Sequence, residues 1–177
     1  MKRIGMALVV LTLLGMVLPQ TGCRKAAPLP LTWDQVRNAE YRNEWPQKGV
    51  TTLKDGQYEE EIVPGSASKL VMVLIPDKYA FGDLNGDGAA DAAVILVASG
   101  GGSGSFVYLE ALVNDKGSPK HVAEMALGDR TQIDAVAIQG GQITVDVVTH
   151  GPNDPMCCPS VKASKRFKLQ GEQLVEL

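Results

Sequence analysis

Three stretches of this chain, residues 69–75, 92–98 and 106–113, are nearly continuous apolar runs of strand length. A strand with one wet face alternates apolar and polar residues, so an unbroken run has to be covered on both faces or sit centrally in a core. Shorter segments around these runs are punctuated by turn residues. Residues 50–53 and 57–62 flank Lys54-Asp55-Gly56, a strong hairpin signal. Residues 132–138 and 142–148 alternate around Gly140-Gly141, with Ile143, Val145 and Val147 expected inward and Gln142, Thr144 and Asp146 outward. A last hairpin is expected from 164–169 and 173–177 around Gly171. The run from Gly100 to Gly104 has a strand behind it and no lysine, which favours a hairpin connection over a phosphate cradle. Thr32, with Gln35 three residues on, is the N-cap of a short helix reaching to about Tyr41. The expected fold is mainly β, an antiparallel meander closed as an open barrel or a sandwich, with that one short N-terminal helix.

The front of the chain has a different character. Lys2 and Arg3 precede an apolar stretch of 15 residues, 4–18, too short for a membrane span of about 20 and matched to a secretory signal. Small residues then lead to Cys23 in Leu18-Pro19-Gln20-Thr21-Gly22-Cys23. This resembles a bacterial lipobox, with Gln20 where the motif usually has an aliphatic residue. The resemblance implies a signal peptide over 1–22, lipidation of Cys23, a tether over 23–31 and a single domain over 32–177. Arg24 stands where an inner-membrane retention signal has Asp, so the outer membrane is favoured if the cell has two. The expected location is extracytoplasmic, with the membrane as partner through lipid at Cys23. Net charge is only -3, which provides no basic face for nucleic acid.

The most informative polar segment runs from Phe81 to Asp91, F-G-D-L-N-G-D-G-A-A-D. Calcium takes many oxygen ligands, and loop positions one, three, five and nine with the carbonyl at seven can converge on one ion. Those positions are Asp83, Asn85, Asp87, Asp91 and the carbonyl of Ala89, with Gly88 at the sharp turn. The twelfth position, where an EF-hand has a bidentate Glu, is Val94. The segment resembles the calcium loops of integrin-type FG-GAP repeats and, more loosely, of dockerins, which implies a structural calcium site at 83–91. From Tyr79 to Asp115 there is no Lys, Arg or His to offset the converging carboxylates, so calcium is the expected cofactor, the alternative being a hairpin loop whose Asp and Asn residues make Asx turns in solvent.

Cys157 and Cys158 sit side by side in a proline-rich loop, residues 151–160. Three states are open to them: a vicinal disulfide, free thiols, or a soft-metal site with His150 or Met156. Over this loop alone, C-C-P after G-P-x-D-P resembles the LppP/LprE lipoproteins of mycobacteria, a resemblance that implies a lipoprotein and no activity. The Glu59-Glu60-Glu61 run reads as a solvated strand face near a sheet edge. Ser66-Ala67-Ser68-Lys69 matches S-x-x-K, but a strand follows it and the partner motifs are missing. His121 and His150 are expected at loops or strand ends. These features describe a non-catalytic envelope lipoprotein that presents its domain to another envelope macromolecule. The alternative is an extracytoplasmic redox or soft-metal (copper or zinc) protein using Cys157 and Cys158.

Overall fold

The computed structural model describes residues 29–177. The expected leader (1–22), Cys23 and residues 24–28 of the expected tether lie outside the described residues. Packing is under way by Leu31, which is buried, while Leu29 is exposed but offers its carbonyl to the Asn114 amide.

The three apolar runs become neighbouring antiparallel strands, β4 (Lys69–Gly82), β5 (Asp91–Ser99) and β6 (Phe106–Asp115). Flanked by β3 (Gln57–Glu61) and β7 (Ser118–Asp129), they form a five-stranded sheet in chain order. A second, four-stranded sheet is built, also in chain order, from β8 (Gln132–Gln139), β9 (Gln142–Thr149), β10 (Val161–Gln170) and β11 (Gln173–Glu176). Both sheets are antiparallel meanders, packed as a sandwich. The alternation of β5 explains its unbroken apolar character. Ala93 and Ile95 enter the core shared with Ile143, Val145, Val147 and Phe167 of the second sheet. Ala92, Val94 and Leu96 point the other way, into a second core closed by Val36, Tyr41 and Leu53. That second core is covered by helix α1 (Trp33–Val36) and the two-stranded pair β1 (Glu40–Arg42) and β2 (Val50–Thr52). The hairpins expected at Gly140-Gly141 and Gly171 form, and the inward set of β9 is buried as expected. The Glu59–Glu61 run lies on edge strand β3 with Glu59 and Glu61 exposed.

Two local expectations are corrected. The capping box at Thr32 and Gln35 is made, but the helix ends at Val36 and does not reach Tyr41. Tyr41 is fully buried in β1, opposite Thr51. A helix this short gains little from propagation, so burying both Val36 and Tyr41 decides the backbone path. The Asp55-Gly56 turn is also made, with positive φ at both residues (51° and 81°) and a bridge between Lys54 and Gln57. Its hairpin goes no further, because β2 pairs with β1 while β3 pairs with β4. Leu53, buried beside Tyr41, holds the first arm in the N-terminal layer.

Pro76 lies within β4, where its missing N–H coincides with a break in register between Leu74 and Tyr79. Beyond this break β4 approaches β8, so the larger sheet curls over one side of the sandwich. The close approach is at Gly82, where an added Cβ would sit 2.5 Å from Ile138 Cγ2. Gly82→Ala should therefore destabilise the domain by about 1–3 kcal/mol, read as a lower urea midpoint. Adding Ile138→Ala in the same chain should restore part of the loss made by Gly82→Ala alone.

Candidate functional site

The acidic loop joins β4 to β5, and its side chains are bonded to its own backbone. Asp83 Oδ1 accepts from Gly86 N at 2.6 Å and Oδ2 from Gly88 N at 2.9 Å. Asn85 Oδ1 accepts from Asp87 N, and Asp87 Oδ1 from Ala89 N at 2.7 Å. Gly86 and Gly88 have φ of 83° and 84°, conformations that a side chain would strain. Desolvation pushes the Asp83 carboxyl up, but the N–H groups of Gly88, Gly86, Asp87 and Asn85 outweigh it and hold that carboxyl below its ordinary value. These N–H donors provide the local positive charge that the sequence lacks from Tyr79 to Asp115.

Asp91 differs from the other two carboxylates. It is fully buried at the start of β5, with Oδ2 accepting from Leu84 N and Oδ1 from Asn114 N, both at 2.8 Å. It thereby ties the loop to the end of β6. Burial raises its pKa, the two N–H donors offset part of this, and the charges of Asp87 and Asp83 raise it further. Among the described residues no three His, Cys, Asp or Glu side chains form a metal-holding group on their own. An ion here would also need the oxygens of Asn85 and Ala89.

In the loop between β9 and β10, Cys157 and Cys158 are joined as a vicinal disulfide, with Cα atoms 3.8 Å apart. Asp154 organises the loop by accepting from Gly151 N, Ser160 N and Ser160 Oγ, each at 2.8 Å. Met156 is exposed, and His150 Nε2 lies 3.2 Å from the Met156 carbonyl oxygen. In the S-x-x-K segment Ser66 Oγ accepts from Ser68 N, while Lys69 Nζ reaches Glu59 at 3.1 Å.

A further polar cluster escaped the sequence reading. His121 is expected at a loop or strand end, yet it is buried inside β7. The cause is a break in register between Ala111 and Leu112, where Val122 is the extra residue and His121 faces Leu112. This turns the ring towards Glu110, whose Oε2 is 2.7 Å from His121 Nε2. Arg42 N donates to His121 Nδ1 at 3.2 Å, so the neutral ring carries its proton on Nε2 and gives it to Glu110. Glu110 is fully buried and its Oε1 has no hydrogen-bond partner. Its pKa is raised by that burial, against the pull of the His121 bond and charge and of Asn43. Glu124 stands directly opposite Glu110 on β7 and accepts from Asn43 Nδ2 at 2.8 Å. Trp45 Nε1 donates to Tyr108 Oη at 2.7 Å, and Tyr108 Oη contacts Glu44 at 3.3 Å. The His121–Glu110 bond joins β7 to β6, and the links made by Arg42, Asn43, Glu44 and Trp45 cross from the N-terminal layer to β6 or β7.

The available sequence signals were faint: one Glu inside an otherwise apolar run at 106–113, and one His amid the broken alternation of Ser118–Asp129. Comparison of the chain with family models, with curated proteins and with solved structures finds no match. The chemistry of the sites rests on their own geometry.

Like charges directly opposite one another in a sheet are destabilising. Desolvation first, then Glu110 and Glu44, push the Glu124 carboxyl up to about 7, while His121 and Asn43 pull the other way. A folded value above the ordinary 4.5 means that folding takes up a proton between these pH values. The stabilising contribution is full below about pH 4.5 and is lost as pH rises through about 7. Glu124 remains exposed, so water screens its charge and the slope is shallow. Glu124→Gln keeps the acceptor for Asn43 and removes the titration. Its melting temperature should match wild type near pH ~5 and exceed it increasingly towards pH ~8; a constant difference across that range would contradict the assignment.

Proposed function

We propose that this chain is a non-catalytic, lipid-anchored envelope protein whose sandwich domain serves as a binding module and whose 83–91 loop takes a structural calcium ion. The observation that carries the calcium reading is the loop's preformed shape: Asp83, Asn85 and Asp87 each hold a following N–H, with Gly86 and Gly88 at the two turns. Each carboxylate oxygen has more than one lone pair, so accepting an N–H leaves capacity for a cation. The carbonyl of Ala89 and the Asp91 carboxylate complete the donor set. Because Asp91 is already engaged by Leu84 and Asn114, an ion in the loop would brace β4, β5 and β6 at one end. With Val94 in place of a bidentate Glu, affinity is expected in the extracellular range of about 10⁻⁴–10⁻³ M. Anchorage rests on the Lys2–Cys23 pattern alone, and with it the proposed extracytoplasmic location, on the outer membrane if the cell has two.

A second reading draws on the exposed Cys157–Cys158 pair. As a disulfide it offers no thiolate to copper or zinc, so soft-metal binding with His150 or Met156 requires prior two-electron reduction to the dithiol.

Calcium at 100 times its dissociation constant adds about 2.7 kcal/mol to stability, several degrees in melting temperature for a domain of this size. The full chain should melt that much higher in excess calcium than in chelator, and Asp87→Ala should abolish most of the difference. Equal calcium shifts in wild type and variant would remove the ion from the loop. For the second reading, thiol labelling of the unfolded chain should leave Cys157 and Cys158 unlabelled without reductant and label both after it. Zinc or copper(I) binding by the untreated chain, insensitive to replacement of both residues by Ala, would exclude them as ligands.

A further inference from the structure

β7 is an edge of the five-stranded sheet, its backbone ladder made with β6 alone among the described strands. Beside residues 122–124 runs a cleft of about 490 Å³. One wall is the segment from Arg42 to Glu44 after β1, and the other is the segment from Glu172 to Leu174 where β11 begins. An open strand edge is a template for another strand, and this edge lies along a walled cleft. Glu44, Glu124 and Glu172 contribute three carboxylates to the cleft against the single cation of Arg42. None of the three appears in an ion pair among the described residues. Opposite Glu124 on the same face of the sheet stands Glu110, fully buried with Oε1 unpartnered.

We infer that the free edge of β7 is a docking strip for an extended basic segment of another protein, added as a further strand to the sheet. The inference deepens the binding-module reading and rests on it, but it requires neither the calcium ion nor the anchor. Side chains of a guest strand alternate between the two faces. On the Glu124 face they meet Glu44 and Glu124, which select Lys or Arg. On the other face they meet Ala123 and Leu174, both members of the sandwich core, which select small apolar side chains. The recognised sequence therefore alternates cation and small apolar residue. Main-chain bonds to β7 supply affinity and the carboxylates supply selection.

The test uses the full chain in chelator and a fluorescein-labelled heptapeptide of alternating lysine and valine, followed by anisotropy at low salt and at ~0.15 M salt. The peptide should bind at both, and a glutamate–valine peptide at neither. Replacing the central valine with proline, which lacks the N–H, should weaken binding about tenfold or more, as should Glu124→Gln in the protein. Among residues 122–124, the amides that point away from β6 should exchange more slowly in the complex. Glu124→Gln is expected to leave the fold at least as stable at neutral pH, and a melting curve taken alongside separates lost binding from lost folding. Absence of binding, equal binding to Glu124→Gln, or equal binding of the proline peptide would each overturn the inference. Concentration-dependent dimers that exclude the peptide would assign the edge to a second copy and overturn it too. A calcium shift without peptide binding would leave the calcium reading intact, and peptide binding without a calcium shift would leave the docking strip intact.

Discussion

The architecture depends on one strand being dry on both sides. From Asp91 to Leu96 every residue of β5 is buried, so neither face of the central sheet can be left to water. A sheet whose two faces are apolar needs two covering layers. The second sheet provides one, with the alternating residues of β9 and β10. The N-terminal segment, too short for a sheet of its own, provides the other with one helical turn, two short strands and the side chains of Val36, Tyr41 and Leu53. At roughly 1.5–3 kcal/mol for each large apolar side chain buried, that thin layer contributes substantially to the stability of the central sheet.

The thin layer also shapes the polar chemistry. A covering element of four helical residues and two three-residue strands cannot seal the sheet out to β7. Where its coverage ends, the sheet carries Glu110, His121 and Glu124 in place of apolar residues. The polar groups of the covering segment, Arg42 N, Asn43, Glu44 and Trp45 Nε1, are the ones that meet them or the neighbouring Tyr108. Hydrogen bonds fix the position of the lid where apolar contact runs out, which burial alone does less specifically. Trp33 stacked on Tyr79, with ring centroids 4.5 Å apart, fixes the other end.

Much of the fold was legible because the strongest signals were local and agreed with one another. Continuous apolar runs marked the central strands, and paired glycines marked hairpins whose turns need positive φ, as at Gly140 and Gly141. The adjacency of Cys157 and Cys158, with Pro155 and Pro159 on either side, left three states open, of which the disulfide is the one present. What was illegible depended on tertiary context. The helix stopped early because a distant core claimed Tyr41, and the Asp55-Gly56 turn joined two strands whose partners were chosen elsewhere. The environment of His121 followed from one extra residue in β7, Val122, which inverts the facing of the positions on either side of it until a second shift at Leu127. No sequence periodicity reports such a bulge, because its position is set by how β7 pairs with β6.

The acidic loop and the β7 cleft show why equal numbers of carboxylates need not mean equal reactivity towards partners. In the loop each carboxylate is already matched to backbone N–H groups, so a cation would add to an arrangement that exists. At the cleft, Glu124 faces Glu110 across the β6–β7 pair, with Asn43 bonded to the first and the His121 ring to the second. Their mutual repulsion is a cost that folding alone does not relieve, and a proton or an external cation would lower it. A group strained in the isolated fold and relaxed by a partner gains differential binding energy from that relief. By this criterion the cleft, with Glu110 Oε1 left unpaired behind it, is the more responsive surface, and the loop is the more rigid support.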